Sequence, residues 1–248
     1  MNESSGPVCA VLDLGSNSFH LLIGRLANGR LVTLDRRKDM VRLAQGLEGD
    51  GQLSEPVMGR ALDSLTVFAQ QLRNIPRSNV RVVGTNTLRA AHNADVFLER
   101  AEKIIGAPID VISGQEEGRL IFLGVAKGHA SNAIRRLVVD IGGGSTEFIV
   151  GRRKAKRVES LFIGCVSMSE RFFPERRFTR EGYRRALTLA RAEIQHLADG
   201  YGAARWDEAR AHREAVTAAI EPLRREKIVR SSLEAKVSMP AVPNLSEQ

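Results

Sequence analysis

Two short stretches of this chain repeat one another. Asp13-Leu14-Gly15-Ser16-Asn17-Ser18 and Asp140-Ile141-Gly142-Gly143-Gly144-Ser145 each run from an acidic residue through an aliphatic one and a glycine into small polar residues. Apolar runs flank both: Val8 to Leu14 and Phe19 to Leu26 around the first, Leu137 to Ile141 and Phe148 to Val150 around the second. A strand, a Gly/Ser interruption and a second strand is the punctuation of a β-hairpin. Two copies with the acid at the same offset imply two similar half-domains that face each other across a cleft.

The rest of the chain alternates between strand and helix patterns. Asn28-Gly29 predicts a second tight turn, with Arg30 to Leu34 as a third strand, so the chain opens as an antiparallel meander. Val57, Ala61, Leu65, Phe68 and Leu72 follow the spacing of an amphipathic helix over 54–74 with Ser54 as its cap. Val80 to Gly84 reads as a buried strand, Asn93 to Ile105 as a helix, Ile109 to Ile112 as a strand and Glu116 to Gly128 as a helix. This is an α/β chain.

A Gly/Ser turn presents backbone N–H groups in a concave array that can cradle phosphate oxygens, and its small side chains let an anion come close. Gly15, Ser16, Asn17 and Ser18 form one candidate substrate cradle, and Gly142, Gly143, Gly144 and Ser145 the other. The preceding acids, Asp13 and Asp140, repel phosphate but can hold Mg²⁺, which bridges to it. Either turn alone also fits an ordinary hairpin whose glycine supplies a positive φ. In Ser113-Gly114-Gln115-Glu116-Glu117 a strand runs into a helix, where one carboxylate can orient or deprotonate a water and Glu116 reads as a capping residue. Arg89, after Gly84-Thr85-Asn86-Thr87-Leu88, can clamp a phosphate. Glu147 by itself reads as a surface strand residue. His20, His92, His129, His196 and His212 share no spacing that suggests a metal site or a triad.

The charge is not spread evenly. The 248 residues carry 37 Lys+Arg and 29 Asp+Glu, a net +8, and the excess falls within 152–191, beginning Arg152-Arg153-Lys154. A basic stretch beside the second turn points to an anionic partner. At 43% hydrophobic and 27% charged residues the chain can build a sizeable core. No apolar run approaches the roughly 20 residues of a membrane helix, and the first residues lack a signal-peptide pattern. Cys9 and Cys165 form no metal or disulfide motif, so a cytoplasmic setting is expected.

Together these residues resemble the exopolyphosphatase and guanosine pentaphosphate phosphohydrolase family, within the actin, sugar-kinase and heat-shock-chaperone ATPase superfamily. The resemblance spans about 10–206 and rests on five motifs in order: Asp13 to Ile23, Gly84 to Ala91, Ile112 to Val125, Val138 to Gly151 and Gly164 to Pro174. It implies an actin-like fold of two ribonuclease-H-like domains, over 1–128 and 129–206, with the second incomplete. It also implies Mg²⁺-dependent hydrolysis of terminal phosphoanhydride bonds of polyphosphate, or of the 5′ phosphate of guanosine pentaphosphate (pppGpp). Glu117 matches the family's catalytic glutamate, Asp140 and Glu147 its acidic metal and water positions, and Arg89 its phosphate-contacting arginine. The metal set implied is Asp13, Asp140 and Glu147. Gly118 departs from the family, which commonly has Ala there.

From about Arg205 to Pro240 the tail instead resembles the C-terminal region of isoleucyl-tRNA synthetases, and 207–248 reads as a helix plus strand foreign to the family. Exopolyphosphatase activity is the leading expectation, because a basic stretch suits a long polyanion. The nearer alternative is pppGpp hydrolysis, and the more distant one a catalytically impaired, truncated or fused phosphate-binding chain. No membrane and no specific nucleic-acid partner is expected; a homodimer would cover apolar surface left by an incomplete domain.

Overall fold

The computed structural model describes residues 6–27, 29–47, 49–128 and 135–201. Strands β1 (Val8–Leu14) and β2 (Phe19–Ala27) form the expected hairpin, in register from Val8 opposite Arg25 to Leu14 opposite Phe19. The third strand, β3 (Arg30–Asp39), runs five residues past its expected end at Leu34. Its second half, Asp35-Arg36-Arg37-Lys38-Asp39, is polar, and apolar patterning could not show it. As the edge of the sheet with every residue exposed, β3 needs only its backbone ladder to β2.

Helix α1 (Glu55–Leu72) buries all five residues of the expected stripe. The four larger side chains, Val57, Leu65, Phe68 and Leu72, contribute about 1.5–3 kcal/mol each when fully buried. Ser54 does stand at the N-cap, but its hydroxyl makes no capping hydrogen bond; its carbonyl accepts from the N–H groups of Val57 and Met58 instead. Then follow β4 (Val80–Gly84), the short α2 (Asn86–Ala90), α3 (Ala94–Ile105) and β5 (Ile109–Val111). The sheet order is β3-β2-β1-β4-β5, with β1 antiparallel to β2 and parallel to β4. This is the ribonuclease-H-like arrangement. One core of Leu12, Leu14, Phe19, Leu65, Val82, Phe97 and their neighbours holds the sheet and its helices together.

Helix α4 (Gly114–Gly128) starts two residues before Glu116, at a glycine that propensity disfavours. The second sheet is antiparallel, in the order β6 (Arg136–Ile141), β7 (Thr146–Gly151), β8 (Ala155–Leu161). Central β7 is buried along its length. Phe122 and Ala126 of α4 pack with Ile149, Val138 and Val158 in a second core, so the boundary expected after residue 128 cuts between α4 and the sheet it covers. The outward face of β6 leaves Leu137, Val139 and Ile141 exposed. Strand β8 lies in what the sequence presents as a charge run.

The chain ends its described part with α5 (Cys165–Phe172) and α6 (Arg180–Tyr201). Both sheets belong to one compact unit, Met1–Ala186, and a second unit begins at Leu187. Among the described residues the second unit consists of the later part of α6. The expected 207–248 tail and its synthetase-like pattern lie outside the described residues. No helix among the described residues is long and apolar enough to cross a membrane.

Candidate active site

The two repeated turns meet. A Cβ placed on Gly143 would lie 3.1 Å from Asn17 Cβ, and one on Gly144 would collide with Asn86 Oδ1. The packing of the second turn against the first turn and α2 therefore leaves no room for a side chain at Gly144 and makes one at Gly143 tight. Each turn is also held from behind. Ser16 is buried and its Oγ accepts from Thr87 Oγ1 (2.7 Å) and, at 3.3 Å, from the Thr87 N–H, which ties the first turn to α2. The N–H of Gly142 donates to Ser145 O, while Cys165 and Val166 N–H donate to the carbonyls of Gly142 and Gly143, all at 2.9 Å.

Carboxylates converge beside the turns. Antiparallel register sets Asp140 opposite Glu147, just as it sets Asp13 opposite His20 in the first hairpin. The repeat thus places a histidine where the second copy has a glutamate. The Ser18 hydroxyl and His20 Nε2 are 2.8 Å apart, and burial and Lys38 hold the imidazole below its usual range. Glu147, expected on the surface, is fully buried: β7 is the central strand and α4 covers it. Its Oε1 accepts from Ser160 Oγ at 2.8 Å, and its Oε2 has no hydrogen-bond partner. Asp13 Oδ1 is likewise buried and unpartnered.

Glu117 and Arg89 meet face to face. Arg89 Nη1 donates to Glu117 Oε2 at 2.9 Å and to Ile112 O at 2.7 Å, and both side chains are less than a fifth exposed. Neither pattern nor spacing announces this pair, because Arg89 sits on α2, a helix too short to read. Glu116 does not cap α4: its carboxylate takes Arg119 through two hydrogen bonds of 2.7 Å, and Ser113 Oγ accepts from its N–H. Ser160 is a further polar group of the site. Its signal was period-two alternation with Val158 inside the basic run, which a reading by charge passes over.

The electrostatics follow from crowding. Burial, then Glu117, then Asp140 push Asp13 up to about 6. Burial also raises Glu117, against the pull of Arg89's hydrogen bond and charge, and raises Asp140. Glu147 is raised mainly by burial, opposed by the Ser160 hydrogen bond. Four carboxylates and one guanidinium make a site that favours cations, with two orphaned buried oxygens aimed at nothing in the protein. The described residues hold no group of three His, Cys, Asp or Glu side chains placed to ligate an ion by themselves. Mg²⁺ characteristically takes one or two carboxylates and completes its shell with water and phosphate, so the donor set of Asp13, Asp140 and Glu147 fits it.

The sequence profile of the Ppx/GppA phosphatase family matches residues 22–238. The chain belongs to the Ppx/GppA phosphatase family. Among curated relatives of this family, the guanosine-5′-triphosphate,3′-diphosphate pyrophosphatase of Vibrio atlanticus is 47% identical over 205 residues, 82% of this chain and 41% of that protein. The protein of that name from Photobacterium profundum is 46% identical over 203 residues, covering 81% and 40%. The chain thus spans about 40% of the length of the curated relatives it matches. Among solved structures, an exopolyphosphatase from Cytophaga hutchinsonii superposes with a TM-score of 0.71 at 31% identity, covering 78% of this chain and 62% of that one. The Aquifex aeolicus PPX-GPPA enzyme gives 0.63 at 31% identity, with 78% and 64% covered. The two-sheet α/β fold expected from the motifs is the fold of the chain, and it is shared with these solved members of the family.

Proposed function

We propose that the chain is a phosphoanhydride hydrolase whose preferred substrate is the 5′-terminal phosphate of guanosine pentaphosphate. The observation that carries this reading is the largely buried Glu117–Arg89 pair beside two abutting Gly/Ser turns. The names of the curated relatives favour the nucleotide over polyphosphate as substrate, which reverses the order expected from charge alone. The roles that follow are those the geometry suits. Backbone N–H groups of the two turns orient the terminal phosphoryl group. Arg89, now shared with Glu117 and Ile112 O, contacts a non-bridging oxygen when phosphate enters. Glu117 orients a water and takes its proton as the oxygen attacks phosphorus and the bond to the leaving phosphate oxygen breaks. Burial holds Glu117 above the usual carboxylate range, which makes it a stronger base than an exposed glutamate. Asp13, Asp140 and Glu147 are the residues that would hold Mg²⁺, which when bound neutralises charge on the phosphate chain.

A second reading, polyphosphate as substrate, has its own support. The β7–β8 turn exposes Arg152, Arg153 and Lys154, and a groove of about 540 Å³ lined by Gln115, Arg119, Lys156 and Arg157 opens beside the start of α4. The cytoplasm suits either reading, and both thiols are free. Phosphate release measured in parallel on pppGpp and long-chain polyphosphate, with and without Mg²⁺, tests the pair. Glu117→Gln is expected to cut release at least about 100-fold while substrate still binds. Unchanged turnover would remove Glu117 from the role of base, and binding without turnover in the unmodified chain would make it a phosphate-binding protein.

A further inference from the structure

Register in the second sheet lines up one side chain from each of its three strands. Asp140 of β6 lies opposite Glu147 of β7, and Glu147 lies opposite Ser160 of β8. Residues directly opposite one another share a face of the sheet, so the three form a single row across it. The first hairpin and its edge strand carry the matching row, Asp13, His20 and Lys38. Where the first row ends on a cation, the second ends on a hydroxyl.

That difference bears on Glu147. A cation in the third place would pair with the buried carboxylate and cancel the charge that draws a metal ion. Ser160 Oγ instead donates to Glu147 Oε1 at 2.8 Å and leaves the charge intact. The bond also separates the two oxygens. The last torsion of a glutamate is broad and two-fold, so the carboxylate turns unless one oxygen is held. With Oε1 held by Ser160, the buried Oε2 is the oxygen without a partner.

Ser160 is itself seated against the helix that carries Glu117. Helix α4 begins at Gly114, a residue that helix propensity disfavours, and a Cβ there would strike both Oγ and Cβ of Ser160. One turn on, a Cβ on Gly118 would come within 2.6 Å of Val158 Cγ1 and 3.6 Å of Glu147 Cγ. The two glycines share a helix face and rest on alternate residues of β8. Bare backbone thus lets α4 lie directly on the row that ends at Ser160.

We propose that Ser160 is a positioning residue of the metal site: its hydroxyl turns Glu147 so that Oε2 is presented to the ion, and its contact with Gly114 sets how close α4 stands to that oxygen. The proposal rests on the Mg²⁺ reading above and concerns a residue that acts through Glu147 alone.

Mn²⁺, which takes the same oxygen donors, is the probe. Titration of the full chain with Mn²⁺, followed by the paramagnetic resonance of the free ion, is expected to give a Kd at least about tenfold weaker for Ser160→Ala than for the parent chain. In a Glu147→Ala background the same replacement is expected to change Kd less than about twofold, because no carboxylate remains for the hydroxyl to orient. Gly114→Ala is expected to displace Ser160 and weaken Mn²⁺ binding as Ser160→Ala does, whereas Gly124→Ala, on the same helix but facing open space, leaves it unchanged. An affinity unaltered by Ser160→Ala, or a loss that persists in full in the Glu147→Ala background, overturns the proposal, and parental affinity in Gly114→Ala removes the seat on α4 from it. Phosphate release by the parent chain is measured alongside. Release with Mn²⁺ affinity indifferent to Ser160 refutes the positioning role and leaves the phosphatase reading intact; affinity that depends on Ser160 without release overturns the phosphatase reading and keeps the positioning role.

Discussion

Arg89 and Glu117 neutralise each other at 2.9 Å, and each sets the other's chemistry. Replacing Arg89 by Ala removes the hydrogen bond and the charge that hold Glu117 down, leaving burial and Asp140 to push its pKa further up. The acid limb of the kcat/KM profile of Arg89→Ala is therefore expected to move to higher pH, apart from any rise in KM; an unmoved limb would separate the two residues. Glycines divide in the same way between helix and site. Gly124, inside α4, faces open space, so Gly124→Ala is expected to stabilise the chain by about 0.5–1 kcal/mol in urea melts. A Cβ on Gly164 would strike the Gly143 carbonyl, so Gly164→Ala is expected to lower stability and to cut turnover by displacing the second turn. Gly118 stands between these cases: helix propensity favours Ala there, but its Cβ would come within 2.6 Å of Val158 Cγ1. Propensity alone puts that exchange within about 1 kcal/mol, and the packing of α4 on β8 decides its sign.

Among elements, the hairpins were the most legible. β1, β2, β4 and β7 coincide closely with apolar runs, because strands inside a sheet carry their pattern in side chains. Two of the edge strands, β3 and β8, do not, although the edge strands β5 and β6 do. The polar half of β3 and all of β8 are strands by virtue of a ladder to a neighbour, and α2 is a five-residue helix made by its place between β4 and α3. β8 ends the second sheet at an edge, and its preceding turn carries Arg152, Arg153 and Lys154 into solvent. If that turn tracks a polyanion, replacing all three by Ala weakens polyphosphate binding and lowers the slope of log K against log salt by up to about 3. A slope unchanged by the triple replacement would take the turn out of the track. The pppGpp affinity should respond less, since a short phosphate chain reaches fewer cations.

At the scale of the whole molecule, the acidic cluster opposes folding. Asp13 titrates near 3.8 when exposed and at about 6 in the fold, so between those values the native state binds more protons than the unfolded one. Stability therefore falls as pH rises from about 4 to about 6 and is level above, with a drop on the order of 3 kcal/mol from this residue. Glu117, Asp140 and Glu147 are raised too and act in the same direction. Thermal melts in chelator from pH 4 to 8 are expected to follow this course. Asp13→Asn should flatten it and raise the melting temperature at pH 7.5, and a melting temperature that climbs through that interval in the parent chain would contradict the account.

The sequence by itself determined the two Asp-Gly hairpins, the α/β alternation and the family, because each is written in local pattern: apolar period, turn residues and short motifs in order. Residues that act through the backbone of their own turn were visible for that reason. Only the tertiary structure decided that Glu147 is buried, that Arg89 meets Glu117 and that Ser16 is held by α2. Those facts depend on which strand is central, on where α4 lies across β7 and β8, and on the approach of residues distant in the chain, Arg89 to Glu117 and Ser16 to Thr87. Side-chain pairing of that range has no period for a sequence to display.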